Sequence, residues 1–150
     1  MVTLDDFDEN MFPKDCAKEH EQKHIDDLPQ AAGCRKTATG CCEEANMSPD
    51  ANDYGGNDKL KKSECAAYLV TAKCCTRKAG LIDGSPRGGN THADMVSYRR
   101  CVLNAKYQAT KPFNHVSNTF GSPCDNEGEF DKLLALFDEF FNRKALGGER

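Results

Sequence analysis

The clearest pattern of apolar and polar positions lies near the C-terminus of the chain. Between Glu129 and Leu146, apolar side chains recur every three or four positions, which is the spacing of one face of an α-helix. Gly147-Gly148 ends the run. The recurring residues are Phe130, Leu133, Leu134, Phe137, Phe140 and Phe141. The pattern predicts an amphipathic helix that carries half of the eight phenylalanines on one face.

Two segments in the first half of the chain also predict helices. Residues 13–27 are strongly charged and compatible with a helix throughout. Residues 59–79 are better marked, because Asn57 or Asp58 can cap the start of a helix there. Gly80 stands at its end, where a left-handed C-terminal cap favours glycine.

A further helix is predicted at residues 91–109, where Thr91-x-x-Asp94 has the form of a capping box. Alternating runs rich in Val, Ile and Thr, which are typical of strands, are missing from the sequence. The pattern therefore predicts an all-α protein of five or six helices. We expect one domain over residues 1–150, with residues 1–12 as a loose N-terminal arm.

Nine cysteines in 150 residues add a covalent framework, because thiols at that density are seldom left reduced. No C-x2-C pair of the kind favoured by structural zinc sites occurs. We predict a secreted, extracellular protein stapled by disulfides, with eight of the nine cysteines paired in an unknown arrangement. The odd thiol would be free, capped or joined to a second chain in a dimer. The cysteines are Cys16, Cys34, Cys41, Cys42, Cys65, Cys74, Cys75, Cys101 and Cys124.

The doublet Cys74-Cys75 predicts a central helix. On a helical wheel Cys74 points away from the face that carries Cys65, and Cys75 lies between the two directions. The two sulfurs of the doublet must therefore reach different neighbours. We expect the helix over residues 59–79 to be the hub of the fold.

Charge and composition exclude several classes of partner. The net charge is −4 and basic residues are scattered among acidic ones, so nucleic acid is not an expected partner. No run of 18 apolar residues occurs, so no membrane span is predicted. The acidic start at Asp5-Asp6 lacks the pattern of a signal peptide, and we expect the chain to be a mature form.

The sharpest candidate for chemistry is the H-E-x-x-H motif of His20-Glu21-Gln22-Lys23-His24. In this motif two histidines one helical turn apart bind zinc and the glutamate activates water. Cys16 lies one turn earlier on the same helical face, and Glu43 or Glu44 could supply a third ligand. The motif is compatible with a small zinc peptidase, with adventitious metal binding, or with a solvated helical face that carries paired charges.

We favour the solvated face, because charged residues surround the motif. Only 19 residues precede it, which is too few for the sheet that zinc peptidases place before this helix. The sequence also lacks a G-x-S-x-G nucleophile motif. We therefore predict a protein that is not an enzyme, with no catalytic residues, no metal and no cofactor.

The segment from Lys73 to Gly84 resembles the third helix of insect odorant-binding proteins. In that family a cysteine precedes a Gly-Leu-Ile/Leu-Asp turn and a further amphipathic helix, and Cys74 precedes Gly80-Leu81-Ile82-Asp83 here. The extra cysteines and the doublets are similar to the atypical, cysteine-expanded members called Plus-C. This chain departs from the family at Val70, where the usual pattern has a cysteine.

The resemblance implies a carrier that transports a small hydrophobic molecule, such as an odorant or pheromone, in an apolar cavity between helices. A tyrosine would donate a hydrogen bond to an oxygenated ligand. The implied ligand-binding residues are Leu69, Val70, Leu81, Ile82, Val96, Tyr98, Val102, Leu103, Tyr107, Phe113, Phe120, Phe130, Leu133, Leu134, Phe137 and Phe141.

Two alternatives to the carrier stay open at this point. The apolar face of the C-terminal helix can equally face a filled core, as most amphipathic helices do. The cysteine content is also typical of a secreted interaction protein, such as an effector, a toxin or a structural secretory component, that acts through its surface.

Overall fold

A computed structural model of the chain describes residues 12–27, 54–83 and 90–145. These residues form four long helices and one short helix, and no strand occurs among them. The helices are α1 (Lys14–Asp27), α2 (Asn57–Lys78), α3 (His92–Thr110), α4 (His115–Phe120) and α5 (Glu127–Ala145). The all-α class is confirmed for this part of the chain, against a predicted total of five or six helices.

The four long helices match the four predicted segments closely, and the short α4 was not predicted. Thr91-x-x-Asp94 forms both hydrogen bonds of a capping box at the start of α3. Gly80 has a φ of 76° just after α2, as its predicted capping role requires. The predicted cap at Asn57 or Asp58 is wrong, because the helix already begins at Asn57 and Gly56 occupies the N-cap position without a side-chain hydrogen bond.

Helix α2 lies at the centre of the fold and packs against each of the other four helices. Three disulfides attach its neighbours to it. Cys74 bonds to Cys16 of α1, and Cys75 bonds to Cys101 of α3. The prediction that this doublet reaches two different neighbours is confirmed.

The third disulfide joins Cys65 of α2 to Cys124, just ahead of α5. The six described cysteines are thus all paired. Cys34, Cys41 and Cys42 lie outside the described residues, as do residues 1–11 of the predicted arm. Phe12, at the end of that arm, is buried in the core.

The core forms where the phenylalanine face of α5 meets α3 and α2. Phe130 and Phe137 are fully buried, together with Met95 and Val102 of α3 and Val116 of α4. Each fully buried side chain of this kind contributes about 1.5 to 3 kcal/mol through the hydrophobic effect. This cluster and the three disulfides hold the helices in place. Among the described helices, none combines the length and the apolar character needed to span a bilayer.

Candidate metal centre

Both histidines of the H-E-x-x-H motif lie inside the protein. His20 and His24 are 0% and 1% exposed, on the same stripe of α1 as Cys16. The prediction that these histidines belong to a solvated helical face is wrong. The physical reason is the Cys16–Cys74 disulfide, because it turns this stripe toward α2 and buries the residues that lie four and eight positions further along it.

The solvated face of α1 lies on the opposite side of the helix. Gln22 donates a hydrogen bond to Asp26, and Lys23 forms an ion pair with Asp27 at 3.1 Å. Lys23 and Asp27 are a pair of opposite charges at i and i+4, as the sequence predicted for the motif. Of the residues between the histidines, Gln22 is exposed and Glu21 and Lys23 are half-buried, whereas the histidines themselves are buried.

Glu64 of α2 supplies the third member of the buried cluster and is 2% exposed. Its Oε1 atom lies 3.0 Å from Nε2 of His20 and 3.1 Å from Nε2 of His24. The potential ligand atoms of these three residues all lie within 4.8 Å of one another. Sequence reasoning named Glu43 or Glu44 for this position, and both lie outside the described residues.

The disulfide connectivity would have been the signal that points to Glu64. Cys16 of α1 pairs with Cys74 of α2, and these two helices run antiparallel. The residues four and eight positions after Cys16 must therefore face turns of α2 that come before Cys74. His20 accordingly meets Thr71, and His24 meets Ser63. The sequence alone does not contain that pairing.

Thr71 lies beside Nδ1 of His20. Nδ1 is 3.1 Å from the Thr71 hydroxyl, and that hydroxyl is also 3.1 Å from the carbonyl oxygen of Ala67. A hydroxyl has only one proton to donate. When Thr71 donates to Ala67, it accepts a hydrogen bond from Nδ1 of His20, which then carries the ring proton.

The hydrogen bonds of His24 can be assigned in the same way. Its Nδ1 lies 3.0 Å from the hydroxyl of Ser63, and Ser63 donates its proton to Oδ2 of Asp27 at 2.7 Å. Ser63 must therefore accept from Nδ1 of His24. When a ring is neutral and carries its proton on Nδ1, its Nε2 atom has a lone pair and no proton.

When both Nε2 atoms lack a proton, two lone pairs face one carboxylate oxygen and a cation can bind among them; when an Nε2 atom carries a proton, it donates a hydrogen bond to Oε1 of Glu64. Burial lowers the pKa of His20, although its hydrogen bond to Glu64 opposes this effect, so a second ring proton is disfavoured. Burial raises the pKa of Glu64, but hydrogen bonds from His115, His20 and His24 outweigh it and hold that pKa well below its ordinary value. Glu64 is therefore ionised, and its buried negative charge can be balanced by a proton on a neighbouring histidine or by a bound cation.

A third histidine approaches the other oxygen of the carboxylate. Nε2 of His115, the first residue of α4, lies 3.5 Å from Oε2 of Glu64. Its ring meets the ring of Tyr68 edge to face, with centroids 6.0 Å apart. Sequence reasoning missed His115, because α4 is short and no motif connects it to residues 20–24.

The residues implied for a hydrophobic ligand fall into three groups. Those buried in the core cluster are Val102, Phe130, Leu133, Leu134 and Phe137. Those that are half-buried are Leu69, Val70, Leu81, Ile82, Tyr98, Leu103, Phe120 and Phe141. Those exposed on the surface are Val96, Tyr107 and Phe113, the last being 89% exposed.

Two open clefts are lined by polar and charged residues instead. The larger, of about 510 Å³, lies between α1 and α2 and is lined by residues that include Lys23, Tyr54 and Lys62. The smaller, of about 300 Å³, includes Lys61 and Asp125. None of the implied ligand-binding residues lines either cleft.

No protein-family model, no curated protein and no solved structure matches this chain. The resemblance to insect odorant-binding proteins therefore stays a prediction. A function for this protein has to be inferred from the geometry of the buried cluster itself.

Proposed function

We propose that the protein binds one zinc ion through Nε2 of His20, Nε2 of His24 and the carboxylate of Glu64. One observation carries the proposal: two imidazole nitrogens and a carboxylate oxygen converge, and both Nδ1 atoms lie within hydrogen-bond distance of hydroxyls. In metal sites, the histidine nitrogen that does not bind the metal is usually hydrogen-bonded to a neighbouring polar group. Nδ1 of both histidines has such a neighbour here.

The distances between the ligand atoms suit a zinc ion. Zinc binds histidine nitrogen at about 2.0 to 2.1 Å and carboxylate oxygen at about 2.0 to 2.2 Å, usually with tetrahedral geometry. Such bond lengths place neighbouring ligand atoms about 3.3 Å apart. The separations from Oε1 of Glu64 to Nε2 of His20 and His24, 3.0 and 3.1 Å, lie within a few tenths of an ångström of this value, and the ligand atoms of all three residues lie within 4.8 Å of one another. Imidazole and carboxylate donors together favour zinc over calcium and magnesium, which prefer oxygen ligands.

The enclosure of the site supports a structural role for the zinc ion. Catalytic zinc sites keep a coordination position open to water or substrate, whereas His20, His24 and Glu64 are almost fully enclosed. Helix α1 also has no apolar face with which to pack against α2, since its buried residues are Cys16, Ala17, His20 and His24. A metal ion at this position would contribute folding free energy directly.

A secreted location is part of the proposal, because three disulfides are stable in an oxidising compartment. The carrier function stays a prediction, and neither of the two clefts described above is lined by its implied ligand-binding residues. The alternative of a surface-acting interaction protein also stays a prediction, and the packed phenylalanine face of α5 is compatible with it.

The test is metal analysis of protein produced without a histidine tag and with its disulfides formed. After treatment with a chelator and dialysis, zinc is titrated back in competition with a chromophoric chelator. We expect one zinc ion per chain for the wild type and loss of that binding in His20→Ala, His24→Ala and Glu64→Gln. His92→Gln is the matched control, because His92 lies on the surface at the start of α3.

A wild-type protein that takes up no zinc after chelation would overturn the proposal. Uptake that persists unchanged in Glu64→Gln and His24→Ala, but falls in His92→Gln, would place the ion elsewhere. Circular dichroism of each metal-free variant shows whether its helices are retained.

A further inference from the structure

The three described disulfides differ in how far solvent reaches them. The cysteines that join α2 to α1 and to α3 are only 0 to 3% exposed, and none of them lines either of the two clefts. The third bond is different, because Cys65 is half-buried, Cys124 is 6% exposed, and both line the cleft of about 300 Å³. A small molecule in this cleft therefore meets the Cys65–Cys124 bond, whereas the other two bonds are enclosed.

The segment that carries Cys124 is attached to the fold by more than its disulfide. The backbone N–H of Cys124 donates to the carbonyl oxygen of Ala109 on α3 at 2.8 Å. Nδ2 of Asn126 donates to the carbonyl oxygen of Cys65 at 3.5 Å. Helix α5, which follows, is packed into the core through its phenylalanine face. The Cys65–Cys124 bond can therefore open while the helices around it stay packed.

A lysine holds positive charge beside the segment of Cys124. Nζ of Lys61 donates a hydrogen bond to Oγ of Ser122 at 2.6 Å, two residues before Cys124. A nearby positive charge stabilises a thiolate, and a more stable thiolate leaves a disulfide faster. Cys65 is the more exposed of the two cysteines, so its sulfur is the one that an incoming thiolate reaches. The charged side chains that line the cleft are Asp58, Lys61, Lys62 and Asp125.

We propose that the Cys65–Cys124 disulfide is a site of reversible modification by a small thiol. The thiolate of the small molecule attacks Sγ of Cys65, the S–S bond breaks, and its electron pair leaves on Sγ of Cys124. The products are a mixed disulfide at Cys65 and a thiolate at Cys124. Attack of this thiolate on Sγ of Cys65 forms the original bond again and releases the small thiol, so the exchange needs no other oxidant or reductant.

The size of the cleft favours a small thiol over a protein thiol. Its volume of about 300 Å³ lies at the lower end of the range of small-molecule pockets. Exposed disulfides are in general the labile and regulatory ones, whereas enclosed structural disulfides resist reduction by small thiols. Zinc takes no part in this exchange.

Reduced glutathione serves as the small thiol in the test. The full chain with its disulfides formed is first treated with N-ethylmaleimide, which blocks any thiol that is already free. Glutathione is then added under native conditions, new thiols are captured with iodoacetamide at timed intervals, and peptide mass spectrometry locates each label. We expect glutathione on Cys65 and the iodoacetamide label on Cys124, while Cys74 and Cys75 keep their bonds. Circular dichroism should show that the helices are retained.

Lys61→Gln tests the part played by charge in the exchange. We expect glutathione to open the Cys65–Cys124 bond several-fold more slowly in this variant than in the wild type. Lys132→Gln is the matched control, because it removes the same charge from the surface of α5, where the Lys132 side chain is 76% exposed. Equal rates in Lys61→Gln and the wild type would overturn the role of Lys61.

Access is tested by repeating the reaction on protein unfolded in guanidinium chloride, in which we expect all three described bonds to open at similar rates. A Cys65–Cys124 bond that still opens far ahead of the others there would show that the cleft is not the cause. In the native protein, an enclosed bond that opens as fast as Cys65–Cys124, or no exchange with glutathione, would overturn the proposal. Opening by reduced thioredoxin and not by glutathione would overturn the assignment to a small thiol.

Discussion

Helix α1 and helix α5 are attached to the rest of the protein by different kinds of force. Helix α5 buries Phe130, Phe137 and two leucines in the core cluster that it shares with α3. Helix α1 buries a cysteine, an alanine and two histidines against α2. One attachment is apolar, and the other consists of a disulfide, a buried polar cluster and ion pairs at the rim.

The difference shows which attachment depends on polar partners. Apolar burial is not directional and needs nothing further once water is excluded. A buried polar group costs free energy unless its partners are complementary. The α1 attachment therefore depends on what balances the buried charge of Glu64, for which we propose a bound zinc ion, whereas the α5 attachment does not.

The largest effect is expected from the apolar attachment. Replacing Phe137 with alanine removes a fully buried ring from the core. We expect the free energy of unfolding to fall by about 3 to 5 kcal/mol. Denaturant unfolding with the disulfides intact measures the change. Phe113→Ala is the matched control, because that ring is 89% exposed, and a similar loss in both variants would contradict the assignment of the core.

A smaller and more local effect is expected from the disulfide of α1. The double variant Cys16→Ala, Cys74→Ala opens a link across 58 residues, and we expect a loss of about 2 to 4 kcal/mol. Because α1 has no apolar face, hydrogen exchange should increase throughout α1 while α5 stays protected. The two helices serve as each other's control. Equal loss of protection in α1 and α5 would show that the attachment of α1 is not independent of the attachment of α5.

The smallest effect is expected at the rim between α1 and α2. The carboxylate of Asp15 accepts a hydrogen bond from Nζ of Lys78 at 2.9 Å, and this bond lowers the pKa of Asp15 below its ordinary value of 3.8. Both side chains are more than a third exposed, so we expect Asp15→Asn to cost less than about 1 kcal/mol near neutral pH.

The sign of the pH dependence follows from the lowered pKa of Asp15. The contribution is present above pH 3.8 and disappears as the pH falls through the lower pKa of the folded protein. Thermal unfolding of the wild type and of Asp15→Asn from pH 7 to pH 2 measures it. A difference between the two proteins that grows toward low pH would contradict the assignment.

Local features of the fold could be predicted from the sequence because their causes are local. The phenylalanine face of α5, the capping box before α3 and the left-handed Gly80 each depend on residues within a few positions of one another. Cys74 and Cys75 point in different directions because of the geometry of a single helix. The short α4 has no such local pattern and was missed.

The buried cluster of His20, His24 and Glu64 was decided by tertiary structure alone. The sequence placed His20 and His24 on one face of a helix, but their burial depends on the rotation of α1 that the bond from Cys16 imposes. Glu64 lies 40 residues or more away along the chain from both histidines. The spacing of residues in the sequence shows which side chains share one face of a helix. Which neighbours that face contacts depends on how the helices pack, because disulfide pairing and the packing of the whole core set those contacts.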